Sequence, residues 1–86
     1  MAKDRLTGIN EHTLASIDRY INNKISGGDF LDAVFSNDLM ESFARADEQN
    51  RQDMFEIVSY LYNHAPMECW GSREKVKLWL KGGEDE

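Results

Sequence analysis

Asp47-Glu48-Gln49-Asn50-Arg51-Gln52-Asp53-Met54-Phe55-Glu56-Ile57-Val58-Ser59-Tyr60-Leu61-Tyr62-Asn63-His64-Ala65-Pro66 is the stretch that decides the fold. Met54, Ile57, Val58 and Leu61 recur at i, i+3, i+4 and i+7, the spacing of one helical face, and Ala65 continues it. Asp47 supplies a side-chain acceptor for the free N–H groups of the first turn. Pro66 stops the helix near His64, because the residue before a proline is pushed out of α geometry. One long helix is therefore predicted here, and the rest of the chain is read from it in both directions.

Upstream, Asn10 can cap a first helix with Leu14, Ile17, Ile21 and Ile25 on one stripe, stopped by Gly27-Gly28. A short second helix carries Phe30, Leu31, Val34 and Phe35. Ser36-Asn37-Asp38 opens a third with Leu39, Met40 and Phe43. The stretch from Arg45 to Asn50 contains neither Gly nor Pro, so the third and fourth helices are either separate or one kinked helix. Downstream of the connector Pro66 to Gly71, Ser72 caps a last helix with Val76, Trp79 and Leu80 inward, ended by Gly82-Gly83. The expected fold is all-α, a compact bundle of four to five short helices. A flexible arm is expected over residues 1–9, a single helical domain over 10–83 and a mobile acidic tail over 84–86. A domain of 86 residues buries a modest fraction of its surface, which makes a homo-oligomer the expected state.

Ten basic and sixteen acidic residues leave a formal charge of −6. Gripping duplex nucleic acid requires Lys and Arg to neutralise phosphates, so that function is excluded as the main one. No apolar run approaches the roughly 20 residues that span a bilayer, and no secretory leader is visible. A membrane is therefore not an expected partner. One cysteine, Cys69, excludes an internal disulfide and fits a reducing compartment. His64 and Cys69 are five apart, but no second Cys or His lies close enough to complete a zinc site, and no calcium loop exists, so neither a metal nor another cofactor is expected. Cys69 activated by His64 would be a nucleophile, whereas a free cysteine is ordinarily a small buried apolar residue. No phosphate-binding or nucleophile-elbow motif is present, and an enzyme is not expected.

Binding is the remaining class. Gly27-Gly28 precedes a helix, so its N–H groups either hold an anion or serve a plain turn, with Asp29 placed to fill the site itself. Arg45 and Arg51 flank Asn50, a set suited to phosphate or carboxylate, or else to ion pairs with Asp47, Glu48 or Asp53. Tyr60, Tyr62, Asn63 and His64, followed by Trp70, suit the stacking of a base, or are ordinary half-buried residues at a helix end. From Asp29 to Glu48 six acids face one base, and from Arg73 to Lys81 four bases face one acid. Such flanks steer a partner, pair subunits head to tail, or are simply solvated.

His12-Thr13, Asp18-Arg19-Tyr20, Gly27-Gly28, Phe30-Leu31, Asn37-Asp38-Leu39, Arg45-Ala46-Asp47, Tyr62-Asn63, Pro66, Cys69-Trp70-Gly71-Ser72 and Trp79-Leu80 together make residues 12–82 resemble a group of small accessory proteins encoded by bacteriophages and prophages. In that group the glycines directly precede the Phe-Leu pair, whereas here Asp29 intervenes. The resemblance implies work in the host cytoplasm by stoichiometric capture of a host molecule. Two expectations follow. In the first, a small anionic, nucleotide-like defence signal is sequestered, with Arg19, Arg45 and Arg51 on phosphate oxygens, Gly27, Gly28 and Asn50 beside them, and Tyr62, Asn63, His64 and Trp70 on the base or ribose. In the second, the chain is an acidic inhibitor of a host protein, such as a defence nuclease, with Asp29, Asp32, Asp38 and Glu41 facing outward together. An accessory protein with no ligand is the third possibility.

Overall fold

The computed structural model describes residues 8–84, and among them five α-helices and no strand. α1 spans Glu11–Asn23, α2 Asp29–Phe35, α3 Leu39–Arg45, α4 Glu48–His64 and α5 Arg73–Glu84, with a single 3₁₀ turn at Met67–Cys69. The local start signals act where the sequence placed them. Asn10 accepts from the His12 N–H at 2.9 Å, Asp38 from Glu41 at 3.2 Å, Asp47 from Asn50 at 2.8 Å and Ser72 from Lys75 at 3.2 Å. Ala46 and Asp47 are extended, so α3 and α4 are two helices. Ala65 is extended before Pro66, which ends α4 at His64.

The core is drawn from every α-helix except α3. Ile17 and Tyr20 of α1, Leu31 and Phe35 of α2, Ile57 and Leu61 of α4, Val76 of α5, and Ala65 and Cys69 of the connector are buried together. Tyr20 stacks on Phe35 with ring centroids 4.0 Å apart. Its hydroxyl donates to the Cys69 carbonyl at 2.6 Å, while the Trp79 indole donates to the Tyr20 carbonyl at 2.8 Å. The Gly71 N–H donates to the Phe35 carbonyl at 2.7 Å. These bonds tie α1, α2, the connector and α5 around one point, and each satisfies a polar group that burial would otherwise penalise.

Five expectations are corrected. Ile9, expected in the flexible arm, is fully buried, because the Asn10 N–H beside it is held by the Asp53 carboxylate at 3.1 Å; residues 1–7 lie outside the described residues. α1 stops at Asn23, with Lys24 left-handed, which takes Ile25 off the core stripe and leaves it half-exposed. Of α3, only Ser42 is buried, and Leu39, Met40 and Phe43 face outward. Val58 is half-exposed, because the buried stripe of α4 is the narrower set Asp53, Met54, Ile57 and Leu61. Gly82-Gly83 do not end α5, which runs through Glu84; the absent side chain at Gly82 leaves room for the Lys24 stem, whose ammonium sits 3.9 Å over the Trp79 ring. Residues 85 and 86 of the acidic tail lie outside the described residues.

Gly27 has a packing role. A Cβ there would stand 2.9 Å from the Leu31 Cβ and 3.2 Å from Phe35 Cε2. Gly27→Ala is therefore expected to destabilise the fold by about 2 kcal/mol, the ordinary cost of overpacking. Urea denaturation followed by circular dichroism measures it, and an unchanged midpoint would contradict the close approach.

Candidate functional site

The acids of α2 and α3 converge. Asp29, Asp32 and Glu41 line one solvent-open depression of about 260 Å³, together with Ala33, Arg45 and Arg73. Asp38 reaches the same place through Arg73, whose Nη2 lies 2.7 Å from its carboxylate. The helix ends explain this: Asp29 and Asp32 stand in the first turn of α2, Asp38 caps α3, and Glu41 stands in its first turn, where carboxylates complement the helix dipole.

Arg45 spans the depression, 2.6 Å from Glu41 and 3.5 Å from Asp29. Its hydrogen bond to Glu41, helped by the charges of Glu41 and Asp29, holds its proton more tightly than usual. These partners replace Asp47, Glu48 and Asp53, which the sequence reading had set beside Arg45 and Arg51. Asp53 is instead buried, accepting from the Asn10 N–H and the Gln49 amide. Arg73, from the basic last helix, joins the acidic flank within the same chain.

The backbone anion site at Gly27-Gly28 is taken by the protein's own side chains. The Gly27 N–H donates to Asp32 at 3.1 Å and the Gly28 N–H to the Ser26 hydroxyl at 3.2 Å, while Ser26 donates to Asp32 at 2.7 Å. Asp32 fills the position expected for Asp29.

The remaining nucleotide-site candidates are spread over the surface. Gly27 and Asn50 share a notch of about 250 Å³ with His12, Thr13, Ser16, Asp29, Phe30 and Leu31. Arg19 lies nearby on α1, donating to the Ser16 hydroxyl at 3.0 Å. Arg51 is exposed on α4. Tyr62 and Trp70 do meet, with ring centroids 6.2 Å apart, and the Trp70 indole donates to the Ala65 carbonyl at 3.4 Å. Asn63 turns back to the Ser59 carbonyl at 2.8 Å, and His64 packs 4.8 Å from the Tyr60 ring. Arg51 and Tyr62 are three helical turns apart, roughly 16 Å along α4.

Cys69 is fully buried, and its burial pushes the thiol up to about 11, so little thiolate exists at neutral pH. The exposed His64 is on Tyr60, not on Cys69. Among the described residues, no three His, Cys, Asp or Glu side chains converge as metal ligands, and no helix is long and apolar enough to cross a membrane.

Compared with known proteins, the chain matches no family model, no curated protein and no solved structure. The sequence reading missed Arg73 as a member of the acidic depression and Phe55 as an exposed aromatic. Phe55 had a signal: it falls beside, not on, the stripe of Met54, Ile57 and Leu61.

Proposed function

We propose that the protein is a non-catalytic capture protein that docks, through the carboxylate-lined depression between α2 and α3, on a basic surface of another protein. The observation that carries this is the convergence of Asp29, Asp32 and Glu41 on one open depression, with Asp38 joined to it through Arg73, while the residues suited to a nucleotide lie apart. The side chains of Arg45 and Arg73 are about half exposed or more, and ion pairs in that setting contribute about 0–1 kcal/mol, so a partner's Lys or Arg can replace them at little cost. The resemblance to phage accessory proteins supplies the setting, the host cytoplasm, and the kind of target, a host nucleic-acid-binding or defence protein whose basic groove the acids would occupy.

The test is affinity capture from bacterial lysate with the wild-type chain and with Asp29→Ser/Glu41→Gln, which spares the cap at Asp38 and the turn at Asp32. The wild type is expected to retain a basic protein that is released by about 0.5 M salt, where exposed charges are screened. The double variant should retain at least about tenfold less, because it removes two attractive charges and frees Arg45 to repel the partner. Equal retention by both chains would contradict the docking surface.

A further inference from the structure

We propose that the outer face of α4, joined by the apolar side of α3, is the surface through which two copies of this chain pair. From Arg51 onward, the exposed positions of α4 are Arg51, Gln52, Phe55, Val58, Tyr62, Asn63 and His64. Those seven positions carry no carboxylate, in a chain in which 30% of residues are charged, and the exposed Glu48 stands one turn before them. Phe55, Val58 and Tyr62 follow one another at helical spacing down a single stripe. Leu39 of α3 and Val58 of α4 line the same shallow groove, over Val34 and Met54, so the two helices present one surface. Met40 and Phe43 extend it along α3.

A face centred on aromatic, methionine and aliphatic side chains, with an arginine at one end and Asp38 at the edge of the groove, has an apolar centre and a polar rim, the composition of a protein interface. Leu39, Met40, Phe43, Phe55, Val58 and Tyr62 are 42–81% exposed. At about 150–250 Å² for each large side chain, they offer roughly 700 Å² per copy, close to the ~800 Å² that each partner contributes to a stable complex. The stripe is also its own complement. A twofold pair brings the same patch of both copies together, and with the two α4 stripes antiparallel, Arg51 at one end comes opposite the Tyr62 ring at the other. A helical domain this small gains the buried area that its own core lacks.

This pairing does not depend on the docking of a host protein, and its test reads mass rather than capture. In sedimentation equilibrium of the full chain over about 1–200 µM, a range that spans ordinary dimer affinities, the mass should rise from 9.9 kDa to twice that. Phe55→Glu and Val58→Glu place charges at exposed positions, so the helical circular dichroism should persist while the mass stays at that of one chain. Leu78→Glu, at an exposed apolar position on α5, should pair as the wild type does. A wild-type mass of one chain throughout overturns the proposal, as does a dimer that survives both glutamates. A chain that pairs only after removal of residues 1–7 also overturns it, because its own N-terminal segment would then be the occupant of the face.

Discussion

Phe35→Ala is expected to remove about 3–5 kcal/mol of stability, the usual cost of deleting a fully buried phenylalanine. Domains of this size hold roughly 0.05–0.15 kcal/mol per residue, so the loss is a large share of the whole. Phe35 is fully buried, and its ring stacks on Tyr20, whose hydroxyl and carbonyl in turn hold the connector and α5. The Gly71 N–H bonds to the Phe35 backbone carbonyl, which alanine retains, so the effect isolates the ring. Urea denaturation followed by far-ultraviolet circular dichroism checks it. A loss under about 1 kcal/mol would mean that Tyr20 and Phe35 are not the centre of the core.

The second large effect belongs to Asp53→Ala. This carboxylate is 1% exposed and accepts from the Asn10 N–H and from the Gln49 amide. Hydrogen bonds to a charged group contribute about 1.5–3 kcal/mol, and buried donors left behind add their desolvation, so a loss of about 3 kcal/mol is expected. Asp53→Asn keeps the shape and one acceptor oxygen, and should lose about half as much. The same substitution should release the start of the domain: amide hydrogen exchange at Ile9 and Asn10 should speed up more than exchange at Ile57. Unchanged protection at Ile9 would contradict Asp53 as the anchor of that segment.

The helix starts were legible because they are local. Asn10, Asp38, Asp47 and Ser72 each need only the N–H groups two or three residues ahead, and the stop at Pro66 needs only its neighbour. What escaped the sequence is non-local. Asp53 reaches back 43 residues to Asn10, so nothing near Ile9 in the chain marks it as core. Gly82-Gly83 look like a stop because glycine in a helix costs about 0.5–1 kcal/mol, yet the missing side chain at Gly82 admits Lys24, 58 residues away, over Trp79. α3 has apolar residues at helical spacing, and only the position of α2 and α4 decides that Ser42 is the side chain covered.

The candidate site divides in the same way. The acidic flank was visible as composition, and the convergence of its carboxylates follows from their shared place at helix starts. Arg73 enters from a helix that is remote in sequence, so its membership required the fold. The candidates for a nucleotide were gathered by residue type rather than by position: Arg45 is engaged by Glu41 and Asp29, Gly27 packs against Leu31 and Phe35, and Tyr62 with Trp70 lies apart from both. Cys69 and His64 are five residues apart in the sequence but have different surroundings, one buried beneath Tyr20 and the other outside on Tyr60.

Native mass spectrometry of the chain recovered from bacterial lysate tests the central claim, capture of a protein through the α2–α3 depression, most directly. The predicted spectrum contains this chain bound to a second, basic protein in fixed stoichiometry, and that complex disappears for Asp29→Ser/Glu41→Gln. A nucleotide-sized adduct retained by both the wild type and the double variant, with no protein partner, would contradict it.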